Sequence, residues 1–573
     1  MKKRINTILF VAITLFLFNS CESFIDLQPL DKISTNDYWK TTTDLANYTL
    51  QFYPIAFANS NMVVDMAVNS DEMIYEGVPS SILNGNRVRQ TGKWTGDWTT
   101  IRNVNIFLAN YKNCTAAFND YKHYLGEAYF FRAYFYYALL QKYGDLPWYS
   151  KPINLDSEIE LTQPRVSRTI IADSIIADLD KAVLYLNNRI VAGNNRLNKE
   201  TALAFTTRVA LYEGTWEKYH ANTPFGKTDS NPTKYFQKCV SAGEELINGT
   251  SYKKGIYSTG KTDLDYYQLF GLVDMSSNNE VLFYKAFSFA DGFSNTVEGY
   301  LSYNANQKGI TWDLVSSYLG KNGLHYDYIN LAKTTKGNAF LTKIAADCDA
   351  RLKSTIYIPG DVMGVAVSKT FDKPTISSGA LQLCPTGFQI KKTTNPLSRG
   401  AAQDWAVRSE TGLIYFRYAE VLLNYAEAKC EIDNTVAITQ LNLLRARVGM
   451  PSFTVNSQNL DLNKLNYGYV ISDELYEIRR ERRVELALEG FRDDDLMRWA
   501  AHSLFKGKRP KGYPVSKVEF PTYFKAIDSN GLIDYYSIAL PSGYKFREGQ
   551  DYLYSIPQDE LVLNPNLLQN PGW

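Results

Sequence analysis

Three consecutive aspartates at residues 493–495 are the densest group of potentially reactive side chains in the sequence. Clustered carboxylates can hold a divalent cation through their oxygens. This run, however, follows Gly490 and is flanked by Arg492 and Arg498. That setting favours a helix junction at which the aspartates pair with the two arginines. We therefore predict a structural role for the acidic run and no metal site.

Histidines and familiar catalytic motifs offer no alternative active site. No histidine belongs to a His-Glu-x-x-His motif or to another spacing typical of metal ligands. The sequence has no Gly-x-Ser-x-Gly turn, no Walker A motif and no Gly-x-Gly-x-x-Gly after a predicted strand. Pairs of Asp and Glu are too common to indicate glycosidase chemistry. We predict a protein that is not an enzyme and needs no cofactor or metal. The histidines are His123, His220, His325 and His502.

The run at residues 479–483 is rich in arginine, but its setting opposes nucleic-acid binding. On a helix, Glu481 and Glu485 lie one turn apart, and the arginines alternate with these carboxylates. The chain carries 61 Lys and Arg against 60 Asp and Glu, so it lacks the basic excess of nucleic-acid-binding domains. We predict a salt-bridge network in this segment and no nucleic-acid partner.

Aromatic residues are the unusual part of the composition. They make up 14% of the chain, with 41 Tyr, 29 Phe and 9 Trp. Some of them must form the core. Tyr and Trp on a surface provide large contact areas at low entropy cost, which suits stacking on sugars or peptides.

The N-terminus has the pattern of a bacterial export signal. Lys2, Lys3 and Arg4 precede an apolar run at residues 8–18, which is too short to span a bilayer. The run ends in Phe-Asn-Ser before Cys21, a pattern similar to the box in which a lipoprotein cysteine is lipidated. The alternative is an ordinary secretory signal with a chance cysteine. The five later cysteines are widely spaced and odd in number, so they indicate no disulfide framework.

Helical periodicity dominates the rest of the chain. The segment 123–143 is apolar nearly all round, which predicts a buried helix, and Gly144 and Pro147 end it. Alternating helix pairs with Ala and aromatic residues at their crossings resemble tetratricopeptide repeats (TPR) of irregular period. Further helices are predicted at residues 43–57, 98–118, 169–186, 199–213, 232–248, 415–431, 435–448 and 473–499.

Three stretches lack this periodicity. Residues 255–412 are rich in Gly, Ser, Asn and Tyr, which predicts loops and short strands with one helix at residues 312–319. Residues 59–95 and 506–573 also look mostly irregular. We predict a mainly α fold, a TPR-like superhelix with a large irregular insertion. A signal peptide spans residues 1–20 and one domain spans 21–573, with TPR-like helices at about 98–250 and 413–500 and the insertion at about 255–412.

Four stretches carry recognisable motifs. Residues 126–147 form an aromatic helix that ends in Tyr-Gly-Asp-Leu-Pro, and residues 477–499 form a charged helix that ends in Arg-Trp. Residues 349–352 read Asp-Ala-Arg-Leu, and the C-terminus contains Tyr-Ser-Ile-Pro and Asn-Pro-Gly-Trp. Together the stretches resemble the SusD/RagB family. Cys348 and Ala350 depart from the family's Arg-Asp-Pro-Arg-Leu pattern.

The resemblance implies a nutrient-binding lipoprotein of the outer membrane. Such a protein is held at Cys21 by lipid, faces the cell exterior and works with a SusC-like TonB-dependent transporter. Its ligand site is implied to be a shallow aromatic surface built from the early loop and the insertion. We expect Trp94 and Trp98 to pack in the core. The candidate ligand contacts are Asp71, Glu72, Tyr75, Phe293, Tyr300, Tyr303 and Trp312.

Three functions remain open at this stage. The first is binding of an oligo- or polysaccharide for uptake, and the second is binding of a peptide by the same kind of system. The third is a TPR-type scaffold that binds proteins through its concave face. A glycoside hydrolase is disfavoured because the sequence has no catalytic constellation.

Overall fold

A computed structural model describes residues 38–57, 65–77, 79–154, 156–365, 368–377, 379–398 and 409–573. Cys21 and the predicted signal peptide lie outside these ranges, and the side chains of Thr95 and Tyr303 are not described either. Among the described helices, none combines the length and the apolar character needed to cross a bilayer.

The N-terminal half is built from helices. The early ones are α1 (Thr42–Leu50), α2 (Tyr53–Ala56), α3 (Thr95–Asn110), α4 (Phe118–Tyr143) and α5 (Glu158–Leu161). They are followed by α6 (Arg168–Tyr185), α7 (Arg189–Ala192), α8 (Lys199–Tyr219) and α9 (Pro232–Asn248). Local signals set several of these ends. Asn198 caps α8 by accepting a hydrogen bond from the Thr201 amide, and Gly144 ends α4 with φ of 70°.

The insertion mixes short helices with short strands. It contains α10 (Asp265–Gly271), a π-helical turn (Gly299–Tyr303), α11 (Trp312–Val315), α12 (Tyr328–Thr334), α13 (Gly337–Asp347) and α14 (Ala350–Thr355). Among the described residues there are three two-stranded antiparallel sheets. One pairs β1 (Met73–Tyr75) of the early loop with β3 (Lys308–Ile310). The others pair β2 (Val281–Lys285) with β6 (Leu413–Arg417), and β4 (Val362–Gly364) with β5 (Lys369–Thr370). The chain then continues through α15 (Tyr418–Asp433), α16 (Ile438–Arg447), α17 (Asp473–Glu485), α18 (Arg492–Arg498) and α19 (Gln558–Leu563).

The long helices form one continuous stack. Helix α3 packs on α4, α4 on α6, α6 on α8, α8 on α9, α9 on α15 and α15 on α17. Two glycines allow the close approaches. A Cβ on Gly214 of α8 would lie 2.7 Å from the Phe236 ring of α9, and one on Gly243 of α9 would lie 3.1 Å from Tyr425 of α15. The stack confirms the mainly α, TPR-like fold expected from the sequence.

The insertion leaves and rejoins this stack without interrupting it. Helices α9 and α15 pack against each other although the whole insertion lies between them in sequence. Strand β2, near the start of the insertion, pairs with β6 at its end, with Val281 opposite Arg417. The insertion packs around a second hydrophobic core, in which its Phe340 and Phe388 are joined by residues of the C-terminal region such as Tyr513. It is therefore a second packed layer and not a set of loose loops.

Several predicted bounds were wrong. The predicted helix at 473–499 is two helices, because Leu488 and Gly490 adopt left-handed backbone conformations with φ of 64° and 83°. The described part of the insertion holds five α-helices where one was predicted, since burial of residues such as Phe340 stabilises segments whose composition alone does not favour a helix. The predicted helix at 312–319 is limited to α11.

Buried ion pairs join the two layers. The Glu485 carboxylate of α17 is within 2.9 Å of Arg351 in the insertion, 2.7 Å of Arg417 at the end of β6 and 2.6 Å of Arg447 in α16. Burial opposes ionisation of Glu485, yet Arg447, Arg417 and Arg351 hold its pKa well below the usual range. Within the arginine-rich run, Arg479 pairs with Glu431 at 3.2 Å and Arg482 with Asp495 at 2.9 Å, which confirms the predicted salt-bridge network.

We expect removal of one cation from this network to destabilise the whole protein. Arg351 is fully buried and also pairs with Asp349 at 2.6 Å, so Arg351→Met leaves buried carboxylates uncompensated. The free energy of unfolding should fall by about 3–5 kcal/mol, measured by urea denaturation. Lys353→Ala, which removes an outward-facing pair with Asp263 from the same helix, should cost less than about 1 kcal/mol. Equal midpoints for the two variants would contradict the prediction.

Candidate functional site

The two carboxylates expected to contact a ligand are enclosed by arginines. Asp71 and Glu72 are buried. Asp71 accepts hydrogen bonds from Nε and Nη2 of Arg492 at 2.7 and 2.8 Å, and Glu72 accepts one from Nε of Arg483 at 3.3 Å. Arg492 thus pairs with Asp71 and not with the acidic run that follows it. These carboxylates fix the early loop to α17 and α18, so we exclude them from the ligand surface.

Trp312 is also a core residue. It is buried at the start of α11 and stacks on Phe340, with ring centroids 5.8 Å apart. It therefore anchors the insertion core and offers no face to a ligand. Tyr303 lies in the π-helical turn, but its side chain is outside the described part of the chain.

Tyr75 remains at the surface, held by a strained turn. Its hydroxyl donates to Oε1 of Gln307 at 3.0 Å, and its ring lies 5.3 Å from Nζ of Lys308. Asn306 and Gln307 both have positive φ, 48° and 58°, at a two-residue turn that leads into β3. Glycine suits such positions far better than glutamine. The turn positions the Gln307 side chain beside Tyr75, so the early loop and the insertion do meet here.

Phe293 and Tyr300 border the insertion core. Phe293 is 44% exposed and stacks on Phe287, with centroids 5.1 Å apart. Tyr300 is half-buried against the core that contains Phe287. Its turn is fixed by Glu298, whose carboxylate accepts hydrogen bonds from the Ser302 hydroxyl at 2.7 Å and from the Asn395 amide at 2.5 Å. Burial raises the pKa of Glu298 to about 7.

The raised pKa of Glu298 predicts a pH-dependent stability. The folded-state pKa exceeds the ordinary value of 4.5, so ionisation is harder in the folded protein. The contribution of Glu298 to stability should be fully present below pH 4.5 and fall by on the order of 3 kcal/mol as the pH rises to 7. Glu298→Gln keeps the hydrogen-bonding positions and should remove this loss. Urea midpoints at pH 5 and pH 8 test the prediction, which fails if both proteins change equally.

A separate groove presents aromatic faces that sequence reasoning assigned to the core. We call it the tryptophan groove. Its volume is about 660 Å³. Trp94 is buried as expected, whereas Trp98 and Tyr149 are only half-buried and meet edge to face, with centroids 5.4 Å apart. The lining residues are Trp94, Trp98, Pro147, Tyr149, Ile153, Asp156, Glu158, Leu161, Thr162, Glu560, Leu563, Asn564 and Leu567.

Buried polar residues of the stack position this groove. Asn105 of α3 donates through Nδ2 to the carbonyl oxygens of Tyr149 and Lys151, at 2.8 and 3.2 Å. Arg132 of α4 donates to the carbonyl oxygen of Ser150 at 3.1 Å and pairs with Asp178 of α6 at 2.6 Å. The Tyr-Gly-Asp-Leu-Pro stretch therefore leads into a segment that the helices hold rigidly.

The groove combines stacking surfaces with hydrogen-bonding groups. Burial and the Glu560 carboxylate raise the pKa of Tyr149 to about 12, so its hydroxyl remains a donor at neutral pH. Leu161 and Leu563 are exposed at the rim. Exposed rings next to carboxylates and a hydroxyl suit a ligand with apolar faces and polar edges. The sequence indicates that Trp94 and Trp98 lie near the start of α3. It does not indicate how exposed they are, because the groove is completed by the distant segment at residues 558–567.

The remaining residues singled out in the sequence are the acidic run and the cysteines. In the described ranges, no three His, Cys, Asp or Glu side chains are arranged to hold a metal ion. Of the acidic run, Asp495 pairs with Arg498 at 2.8 Å as predicted, while Asp494 accepts a hydrogen bond from Gln141. The five described cysteines are free and buried.

The fold and its appended insertion place the chain in a class of TPR-like helical proteins. A family model described as "SusD family" matches residues 273–573, more than half of the chain. A second, described as "Starch-binding associating with outer membrane", matches residues 23–211. The chain belongs to the SusD family.

Curated relatives agree with this assignment. The chain is 27% identical over 237 residues to SusD-like protein P38 of Formosa agariphila, covering 39% of this chain and 44% of the relative. It is 24% identical over 455 residues to SusD-like protein P2 of the same organism, covering 78% of this chain and 73% of that relative. The first alignment thus spans less than half of the relative's length.

Solved structures share the fold. A SusD-like carbohydrate-binding protein from Bacteroides fragilis aligns with a TM-score of 0.70 at 21% identity, covering 93% of this chain and all of that one. A laminarin-binding SusD-like protein aligns with a TM-score of 0.58 at 18% identity, again covering 93% of this chain and all of that one. At these identities the likeness establishes the fold alone.

Proposed function

We propose that this protein captures a nutrient glycan at the cell surface and delivers it to a TonB-dependent transporter of the outer membrane. Membership of the SusD family supports this role, as do the carbohydrate-binding and laminarin-binding relatives of the same fold. The observation that carries the proposal is the tryptophan groove, in which half-exposed rings lie beside hydroxyl and carboxylate groups. We propose that the protein acts by binding, without hydrolysis.

The groove suits a short run of sugar rings. Its volume of about 660 Å³ is in the range of about 300–1,000 Å³ usual for ligand sites. The apolar faces of pyranose rings stack well on Trp98 and Tyr149, while hydroxyl groups can donate to Glu158 and Glu560. Because the groove is open, we expect modest affinity, which suits a protein that must release its cargo. Tyr75, Phe293 and Tyr300 remain proposed contacts for a longer chain.

Loss of one groove ring should weaken glycan binding. We expect Trp98→Ala and Tyr149→Ala each to reduce affinity for the bound polysaccharide by about 1–3 kcal/mol, the scale of burying one such side chain. A panel of polysaccharides and peptides, titrated calorimetrically, identifies the ligand first. Circular dichroism then checks that each variant is folded.

Phe524→Ala is the matched control for this experiment. Phe524 is an exposed ring outside the groove, so its removal should leave affinity unchanged. If Tyr75→Ala and Phe293→Ala weaken binding while the groove variants bind normally, the ligand lies on the early-loop surface. Binding of peptides alone favours the peptide-uptake alternative. If nothing in the panel binds, the scaffold alternative is favoured.

We further propose that lipid on Cys21 holds the protein on the outer membrane beside its transporter. Cys21→Ala should yield a folded protein that leaves the membrane pellet after a salt wash, since stable anchoring needs the acyl chains. Wild-type protein extracted in mild detergent should co-purify with a large barrel protein. Retention of Cys21→Ala in the pellet would contradict the anchor, and a pull-down without a barrel would contradict the partner.

A further inference from the structure

The tryptophan groove carries charge of one sign. Among the described residues that line it, three bear carboxylates, Asp156, Glu158 and Glu560, and none is a lysine or an arginine. Asp and Glu side chains carry a negative charge at neutral pH. The groove therefore presents three negative charges alongside the rings on which a sugar would stack.

A ligand can reach these carboxylates. Asp156 and Glu158 are exposed and Glu560 is half-buried. None of the three forms a salt bridge with a described cation, so their charge is not neutralised by the described part of the chain. Glu560 is held at the groove because it accepts a hydrogen bond from the Trp94 amide at 2.9 Å.

The charge of Glu560 acts at a stacking ring. Burial and this carboxylate together raise the pKa of Tyr149 to about 12, which places the Glu560 charge close to the Tyr149 hydroxyl. A charged substituent on a sugar stacked at Tyr149 would therefore also interact with Glu560. Charges of like sign a few ångströms apart repel each other even at an open surface, and opposite charges attract.

A neighbouring recess carries the opposite charge but lacks open rings. It has a volume of about 450 Å³, shares Trp94 with the groove and is lined by the exposed Arg89 and Lys93 together with Asp97. Its two aromatic side chains, Trp94 and Tyr143, are both buried. Because stacking needs an accessible ring face, a sugar stacks in the groove and experiences the charge of the groove.

We propose that the tryptophan groove selects its glycan by charge: it binds chains of neutral or amino sugars and rejects chains that carry carboxylate or sulfate groups. The proposal rests on the glycan-binding function proposed above and adds to it the class of glycan. Amino sugars should bind more tightly than their neutral counterparts, and acidic sugars more weakly.

The test compares oligosaccharides that differ only in charge. Laminarihexaose, cellohexaose and mannohexaose are each prepared with carbon 6 as the alcohol, as the carboxylate and as the amine, and are titrated calorimetrically into the purified protein at neutral pH. For the backbone that binds, we expect affinity to fall from amine to alcohol to carboxylate, by about tenfold over the series, which corresponds to about 1.4 kcal/mol. Raising the salt concentration to about 0.5 M should compress the series, because the Debye length then falls to about 4 Å.

Glu158→Gln and Glu560→Gln test whether the groove carboxylates cause the preference. Glutamine keeps the shape and an acceptor oxygen but removes the charge. Each variant should reduce the spread between amine and carboxylate forms to about threefold, whatever the change in affinity for the neutral form. Glu158 is exposed, so its variant keeps the test decisive if the loss of the Glu560 contact with the Trp94 amide impairs folding.

Asp120→Asn is the matched control. It removes the same charge from an exposed position in the first turn of α4, about 35 Å along the helix axis from Tyr143. That distance is several Debye lengths at physiological salt, so the spread should remain that of the wild type.

The remaining outcomes separate the selectivity from the function. The proposal is overturned if carboxylate forms bind as tightly as the alcohols, or if Glu158→Gln and Glu560→Gln keep the full spread. Tight binding of carboxylate forms that is lost in Arg89→Gln would place the ligand in the recess and also overturn it. Neutral binding that needs Trp98 but shows no charge preference leaves the glycan-binding function intact and removes the selectivity alone. If no form of any probe binds, glycan binding itself is contradicted, and the selectivity with it.

Discussion

Glu485 is the point at which three distant parts of the chain meet. Arginines from the insertion, from the end of β6 and from α16 all contact this one buried carboxylate. A buried charge is tolerated only when it is paired and hydrogen-bonded, so each arginine must be in place for the others to be stable. Lys392 extends the network, because its Nζ donates to the Ala487 carbonyl and to Glu489. The positions of the insertion and the helical stack are therefore mutually dependent.

The same helices determine where a ligand can bind. Asp71 and Glu72 are held by arginines of α17 and α18, and this contact fixes the strand that carries Tyr75. Elsewhere in the stack, Asn105 and Arg132 hold the segment that carries Tyr149. In both places, polar residues of types that could bind a ligand are buried and hold neighbouring segments in position. The rings that a ligand can reach, such as Tyr75 and Tyr149, lie on the segments that these polar residues hold.

The sequence predicted the helical stack well because its signals are local. Neighbouring residues supply these signals: the hydrophobic period, Asn and Pro at helix starts, and Gly144 at a helix end. Helix α9, for example, was predicted with its observed bounds. The insertion was predicted poorly, since its short helices depend on burial by distant residues such as Tyr513.

The candidate site shows the same limit. Asp71 has the residue type of a sugar ligand, but its partner Arg492 is 421 residues away in sequence. No periodicity reveals such a pairing. Trp98 shows the reverse case: it was expected in the core but is half-exposed, in a groove that is completed by residues 558–567. Residue type indicated the chemistry, while long-range packing determined which residues remain accessible.

The pairing of α9 with α15 also constrains how the chain folds. Helix α9 ends at Asn248 and its partner begins at Tyr418, so about 170 residues must be synthesised before this contact can form. Contacts of such long sequence separation form slowly, because loop closure costs entropy before packing compensates for it. Until then, the face of α9 that contacts α15, around Cys239 and Gly243, stays uncovered. While the chain folds, the first half of the stack therefore exposes a helix face that favours aggregation until α15 packs on it.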